Sequence, residues 1–245
     1  MDDITAALVL LQCLDLTSLN EDDNEEKIKK LCQKAQTPYG NVASVCVYPQ
    51  FVPLAKECLQ NTGIKVATVI NFPLADKTLE NTLMEASDAL LKGADEIDAV
   101  FPYKEFINQN TEDSAKFIHT LKNHIGKKIP LKIIIESGEL KKTSLIVQAT
   151  RLCIENGADF VKTSTGKTPV SATPEAANAI LDTIAAGRRN VGFKASGGIR
   201  TIDDAKKYLI LAEAVMGGKW VTPKNFRIGA SSLLDNLIET IERGY

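Results

Sequence analysis

Short apolar runs along this chain alternate with longer stretches in which apolar positions recur every third or fourth residue. The runs predict strands at Leu14–Leu16, Ala43–Val47, Val66–Ile70, Glu96–Phe101, Leu131–Glu136, Phe160–Lys162, Val191–Lys194 and Phe226–Ile228. Between them, segments such as Thr78–Leu91, Leu145–Glu155 and Pro174–Ala185 have helical period. Strands that alternate with helices predict parallel βαβ units. Eight such units in 245 residues match an α/β fold of the (β/α)8 type, the TIM barrel, as one domain over residues 1–245. A doubly wound open sheet is the rival. For dinucleotide binding it would carry a G-x-G-x-x-G after its first strand, and the sequence has none.

Within the strands, side chains alternate between two faces. Ile97, Ala99 and Phe101 share one parity and are expected to face the helices, which turns Glu96 and Asp98 into the barrel. By the same rule Val161 and Phe193 face out, while Lys162 and Lys194 face in. Ile133 and Ile135 face out, and Lys132 and Glu136 face in. Asp15 shares its parity with Thr17, and Cys46 with Ser44 and Tyr48. Several of these polar residues sit at C-terminal strand ends, where barrel enzymes place their chemistry.

Composition narrows the function classes. The formal net charge is -2, so no strong positive field exists to hold nucleic acid or an anionic membrane, and an anionic substrate needs a local site. Five cysteines without a C-x-x-C read as reduced thiols of a cytoplasmic protein. The only histidines, His119 and His124, are five apart and do not share a helix face for a common metal, so a zinc- or iron-dependent mechanism is not expected. The apolar run Ala6–Leu11 is short and preceded by acidic residues; it reads as the buried face of a first helix rather than a signal or a membrane span.

The inward lysines carry the strongest chemical signal. An unperturbed lysine titrates near ~10.4 and is a cation at neutral pH. Burial lowers that value, and a second cation lowers it further, which is how Schiff-base lysines become nucleophiles. Lys162 and Lys194 end neighbouring predicted strands on the same parity, which is the arrangement this requires. Asp98 is a candidate proton relay or a counter-ion to the two lysines. A purely structural ion-pair network is the competing reading of all three. Three loops after the last three predicted strands look like a phosphate cradle: Ser164-Thr165-Gly166-Lys167, Ser196-Gly197-Gly198-Ile199-Arg200 and Gly229-Ala230-Ser231-Ser232. Glycines let a backbone approach an anion closely, and barrels bind phosphate in this region. Ser231 and Ser232 precede a predicted helix and are alternatively its caps. Cys46 reads as a small core residue.

These stretches resemble deoxyribose-phosphate aldolase. The matching segments are LDLTSLN at Leu14–Asn20, ASVCVYP at Ala43–Pro49, ADEIDAVFPY at Ala94–Tyr103 and KIIIESGEL at Lys132–Leu140. ADFVKTSTGK at Ala158–Lys167, GFKASGGIR at Gly192–Arg200 and FRIGASSLL at Phe226–Leu233 complete a series that spans nearly the whole chain. The resemblance implies a metal-free class I lyase of deoxyribonucleotide catabolism. Its reaction would be the reversible cleavage of 2-deoxy-D-ribose 5-phosphate to acetaldehyde and D-glyceraldehyde 3-phosphate. It implies that Lys162 forms the imine, Lys194 perturbs it, Asp98 relays protons, and Lys167 with the Gly-Gly and Ser-Ser loops meets the phosphate. Some members end in a tail whose terminal tyrosine helps move a proton, which makes Tyr245 a further candidate. The resemblance leaves monomer or homodimer open. Another Schiff-base aldolase or transaldolase, or a non-catalytic phosphosugar-binding barrel, are the alternatives.

Overall fold

Eight parallel strands close into a barrel in the computed structural model of the protein, which describes residues 1–244. They are β1 (Leu14–Thr17), β2 (Ser44–Val47), β3 (Lys65–Ile70) and β4 (Glu96–Val100). The second half is β5 (Leu131–Ile134), β6 (Phe160–Lys162), β7 (Gly192–Ser196) and β8 (Phe226–Ala230). Each pairs with its neighbours in chain order, and β8 closes against β1. The fold is a (β/α)8 barrel, as the alternation of patterns predicts. Tyr245 lies outside the described residues. Among the described residues, no helix is long and apolar enough to cross a membrane.

The helices begin where the sequence offers a cap. Thr78 and Thr173 precede Leu79–Leu91 and Pro174–Ala185, and each accepts a backbone N–H from the first helical turn. Thr201 and Asp204 form a reciprocal capping box at Ile202–Met216. Such caps satisfy donors that the helix itself cannot. The main apolar core lies between strands and helices and contains Ile97, Ala99, Val161, Phe193, Phe226 and Ile228, as the strand parity requires. A second cluster of Leu19, Cys46, Ala67 and Val69, with Tyr48 and Phe72 against it, gathers on the opposite parity inside the barrel.

Strand ends shift by one or two residues from the pattern, and a few details differ further. The strand expected to run from Leu131 to Glu136 ends at Ile134, because Glu136 takes the left-handed conformation with φ 50° and ψ 60°. Strand Val191–Lys194 starts one residue late and runs to Ser196, and Phe226–Ile228 runs on to Ala230. A two-stranded antiparallel hairpin, Gln36–Thr37 with Gly40–Asn41, stands apart from the barrel. Strands of two residues are too short to leave a period.

Candidate active site

Register brings the inward charges together. Lys162 is paired with Lys194, Lys194 with Arg227, and Asp98 with Lys132. Paired residues of parallel strands project to the same face, so these side chains converge on the barrel axis. Asp98 sits at the centre and is fully buried. Its Oδ2 accepts from Lys162 Nζ at 2.8 Å and from Lys194 Nζ at 2.7 Å. Its Oδ1 accepts from Lys132 Nζ at 2.8 Å. Lys194 also pairs with Asp15 at 2.6 Å, and Lys132 with Glu96 at 2.6 Å. Arg227 bridges Asp15 and Glu96 below them, reaching Glu96 Oε1 at 2.9 Å.

This network holds four cationic side chains and three carboxylates. Uncompensated charge in a dry interior is costly, so one of the four is under pressure to be neutral. Partner counts identify it. Arg227 touches Asp15 and Glu96; Lys132 touches Glu96, Asp98 and, at 3.9 Å, Asp15; Lys194 touches Asp15 and Asp98; Lys162 touches Asp98 alone. Burial pushes the Lys162 ammonium below the ordinary lysine value, Asp98 opposes this, and Lys194 adds to the lowering. In Lys194, burial is the largest effect and acts downward, but Asp15 and Asp98 together outweigh it and hold the ammonium above the ordinary value. Lys132 is raised in the same way by Asp98 and Glu96 against burial. Burial alone would raise the Asp98 carboxyl, yet Lys132, Lys162 and Lys194 hold it well below the usual carboxylate range. The arrangement therefore leaves Lys162 the cation with the least support for its charged form.

Lys162 is also the network's lysine that opens to the outside. It lines a cavity of about 240 Å³ at the C-terminal end of the strands. The same cavity is lined by Thr165, Gly166 and Lys167, by Gly197 and Gly198, and by Gly229, Ser231 and Ser232. Every residue of the three loops except Ser164, which is buried, thus lines one cavity. Close packing explains two of the glycines. A Cβ on Gly197, whose φ is +89°, would lie 2.5 Å from Ser171 Cβ. A Cβ on Gly229 would lie 2.9 Å from Lys194 Cε, so this glycine leaves room for the lysine. Ser232 stands at the N-cap of Leu233–Glu242 but makes no side-chain cap hydrogen bond, so the capping alternative fails for it. Lys167 Nζ donates to the carbonyl of Leu19, another lining residue, at 2.6 Å.

Sequence reasoning did not assign roles to Asp15, Glu96, Lys132 or Arg227. Parity points the first three inward, and Arg227 lies between Phe226 and Ile228 on the inward parity of its strand. That alternation was the available signal for Arg227. Thr17, on the parity of Asp15, also lines the cavity, as do Leu19 and Asn20, which follow the strand and carry no such signal. Cys46 is buried in the inner apolar cluster. Leu19 belongs both to that cluster and to the cavity wall, so the site has an apolar side as well as a polar one.

Comparison with known proteins agrees with this architecture. A family model described as DeoC/LacD family aldolase matches residues 9–237. A crystal structure from Coccidioides immitis, provisionally named a deoxyribose-phosphate aldolase, is 30% identical with a TM-score of 0.85 and covers 96% of this chain and 86% of its own. One from Toxoplasma gondii ME49, named with the same reserve, is 27% identical with a TM-score of 0.87 over 98% of this chain and 97% of its own. A tetrameric deoxyribose phosphate aldolase from Aeropyrum pernix, 24% identical over 100% of this chain and 98% of its own, has a TM-score of 0.74 and shares the fold.

Proposed function

Since this chain belongs to the DeoC/LacD family of aldolases, we propose that it cleaves 2-deoxy-D-ribose 5-phosphate reversibly through a Schiff base on Lys162. The observation that carries the reading is the lone carboxylate partner of Lys162, at the wall of a cavity whose other side is the three-loop cradle. A binding-only barrel needs the loops but has no use for a buried lysine with a single counter-ion beside them.

In this reading neutral Lys162 attacks the C1 aldehyde of the open-chain sugar. Asp98 and a water move the protons that expel hydroxide and leave the cationic imine. The C3 hydroxyl loses its proton and the C2–C3 bond breaks. Its electron pair passes to the imine, giving an enamine on Lys162 and free D-glyceraldehyde 3-phosphate. The enamine is protonated at C2 and the resulting imine is hydrolysed to acetaldehyde, which restores the amine. Lys194 stays protonated, held by Asp15 and Asp98, and its charge keeps Lys162 neutral between turnovers. The cradle holds the phosphate away from the reacting bond, so its binding energy serves orientation. The apolar side around Leu19 suits the two-carbon end.

The test is acetaldehyde release from 2-deoxyribose 5-phosphate in the presence of EDTA, for wild type and Lys162→Ala. Metal-independent activity that disappears in the folded variant supports both substrate and lysine. A folded wild type without activity moves the reading to another aldol pair.

A further inference from the structure

Glu136 is a buried carboxylate with an unusual set of partners. It is fully buried, yet unlike Asp15, Glu96 and Asp98 it has no cation within ion-pair distance among the described residues. Its side chain is held by one loop, the segment that follows β6 and carries Thr165 to Thr168. Thr165 N donates to Oε2 at 3.3 Å and lies 3.4 Å from Oε1. Thr165 Oγ1 donates to Oε2 at 2.6 Å, and Thr168 Oγ1 donates to Oε1 at 3.1 Å. The backbone at Glu136 is left-handed, a conformation rare in residues other than Gly, Asn and Asp and common at functional sites. That turn is what aims the carboxylate at the loop.

The two segments are built as one unit. Ser137 N donates to the Thr163 carbonyl at 2.8 Å. Gly138 lies against the Val170 backbone so closely that a Cβ would sit 2.0 Å from its carbonyl oxygen. From Thr165 the chain of contacts runs on into the cradle. Thr165 Oγ1 also accepts from Lys167 N at 3.0 Å, and Lys167 Nζ reaches the Leu19 carbonyl. Thr165, Gly166 and Lys167 all line the cavity.

We infer that Glu136 is a positioning residue for the phosphate end of the site: its carboxylate fixes the Thr165–Lys167 turn in the shape that receives the anion. The inference rests on the aldolase reading for the identity of the phosphate-bearing sugar. It predicts that loss of the carboxylate damages binding of the phosphate and spares chemistry at Lys162.

The experiment compares wild type, Glu136→Ala and Glu136→Gln, each checked for folding by circular dichroism. Two substrates are used, 2-deoxyribose 5-phosphate and unphosphorylated 2-deoxyribose, and inorganic phosphate binding is measured separately by calorimetry. In Glu136→Ala, KM for the phosphorylated sugar rises about tenfold, kcat stays within about threefold, and kcat/KM for 2-deoxyribose stays within about twofold. The Kd for inorganic phosphate weakens by about tenfold, the effect of one charged hydrogen-bonding group. Glu136→Gln, which keeps one acceptor for Thr165, falls between. Equal losses on both sugars with unchanged phosphate binding overturn the inference, as does a wild type that binds no phosphate. A wild type inactive on both sugars sinks the aldolase reading alone. Weaker phosphate binding in the variant then still supports the role of Glu136.

Discussion

On the proposed mechanism, replacing Lys194 by Met tests how the site makes its nucleophile. Lys162 and Lys194 donate to the same oxygen of Asp98, at 2.8 and 2.7 Å. These two contacts to one oxygen hold the ammonium nitrogens within about 5.5 Å of each other, and at an effective dielectric constant of about 20 two such cations repel by about 3 kcal/mol. Removing Lys194 releases that repulsion and also leaves Asp98 Oδ2 to Lys162 alone. Three carboxylates then face Lys132, Arg227 and Lys162, and Lys162 is needed as a cation to balance them. About 3 kcal/mol corresponds to about a hundredfold shift from amine to ammonium. The nucleophile is the neutral form, so the rate at neutral pH falls by about that factor and the rising limb of the pH–rate profile moves to alkaline pH. Because Lys162 rather than Lys194 lines the cavity, KM for the phosphorylated sugar changes little. The assay is the initial rate of acetaldehyde release across the pH range for Lys194→Met and wild type. A loss of equal size at every pH, with the limb unmoved, refutes the reasoning and makes Lys194 a proton donor or a structural residue instead.

Other consequences follow from the same contacts. Asp98→Asn removes the anion shared by three buried lysines, and breaking a buried network of this kind costs about 3–5 kcal/mol; urea unfolding at neutral pH that shows no loss contradicts the account of Asp98 as their common counter-ion. Acid should unfold the protein through the same residues. Burial would raise Asp15, Glu96 and Asp98, but their cationic neighbours win and hold all three below the ordinary carboxylate value. Their contribution to stability is complete above the unfolded-state values near about 4 and is lost as pH falls through the lower folded-state values. The urea midpoint therefore drops steeply below about pH 4, and a midpoint level into stronger acid contradicts this. Ser232→Ala removes an exposed hydroxyl that caps nothing, so stability changes by less than about 0.5 kcal/mol while KM for the phosphorylated sugar rises. A lowered Tm with unchanged KM returns Ser232 to a structural role.

Much of this site is legible from alternation alone. In Glu96–Phe101 the apolar parity fixes Ile97 and Ala99 outward and leaves no direction for Asp98 but inward. The same logic turns Lys162 and Lys194 to the axis, and counting eight strands makes them neighbours. The pairing of charges was less accessible, because it depends on how the closed barrel staggers its strands. Asp15 and Arg227 are 212 residues apart and meet only because β8 closes on β1. The turn at Glu136 escaped the pattern for a different reason. The run Ile133-Ile134-Ile135 has the composition of a strand, and nothing in Glu136 itself signals a left-handed backbone. Its partners Thr165 and Thr168 lie 29 and 32 residues further along the chain. The glycines at 197 and 229 could be read as loop formers, but the approach of Gly229 to Lys194 exists only in three dimensions.

The most direct test of the central claim is covalent capture of the imine. Wild type is incubated with 2-deoxyribose 5-phosphate in EDTA, reduced with sodium borohydride and mapped by peptide mass spectrometry. The account predicts a reduced two-carbon adduct, an N-ethyl group from the acetaldehyde imine, on the peptide of Lys162 and none on Lys194 or Lys132. An adduct on either of those lysines, or an enzyme that cleaves the sugar with Lys162 unmodified after reduction, contradicts it.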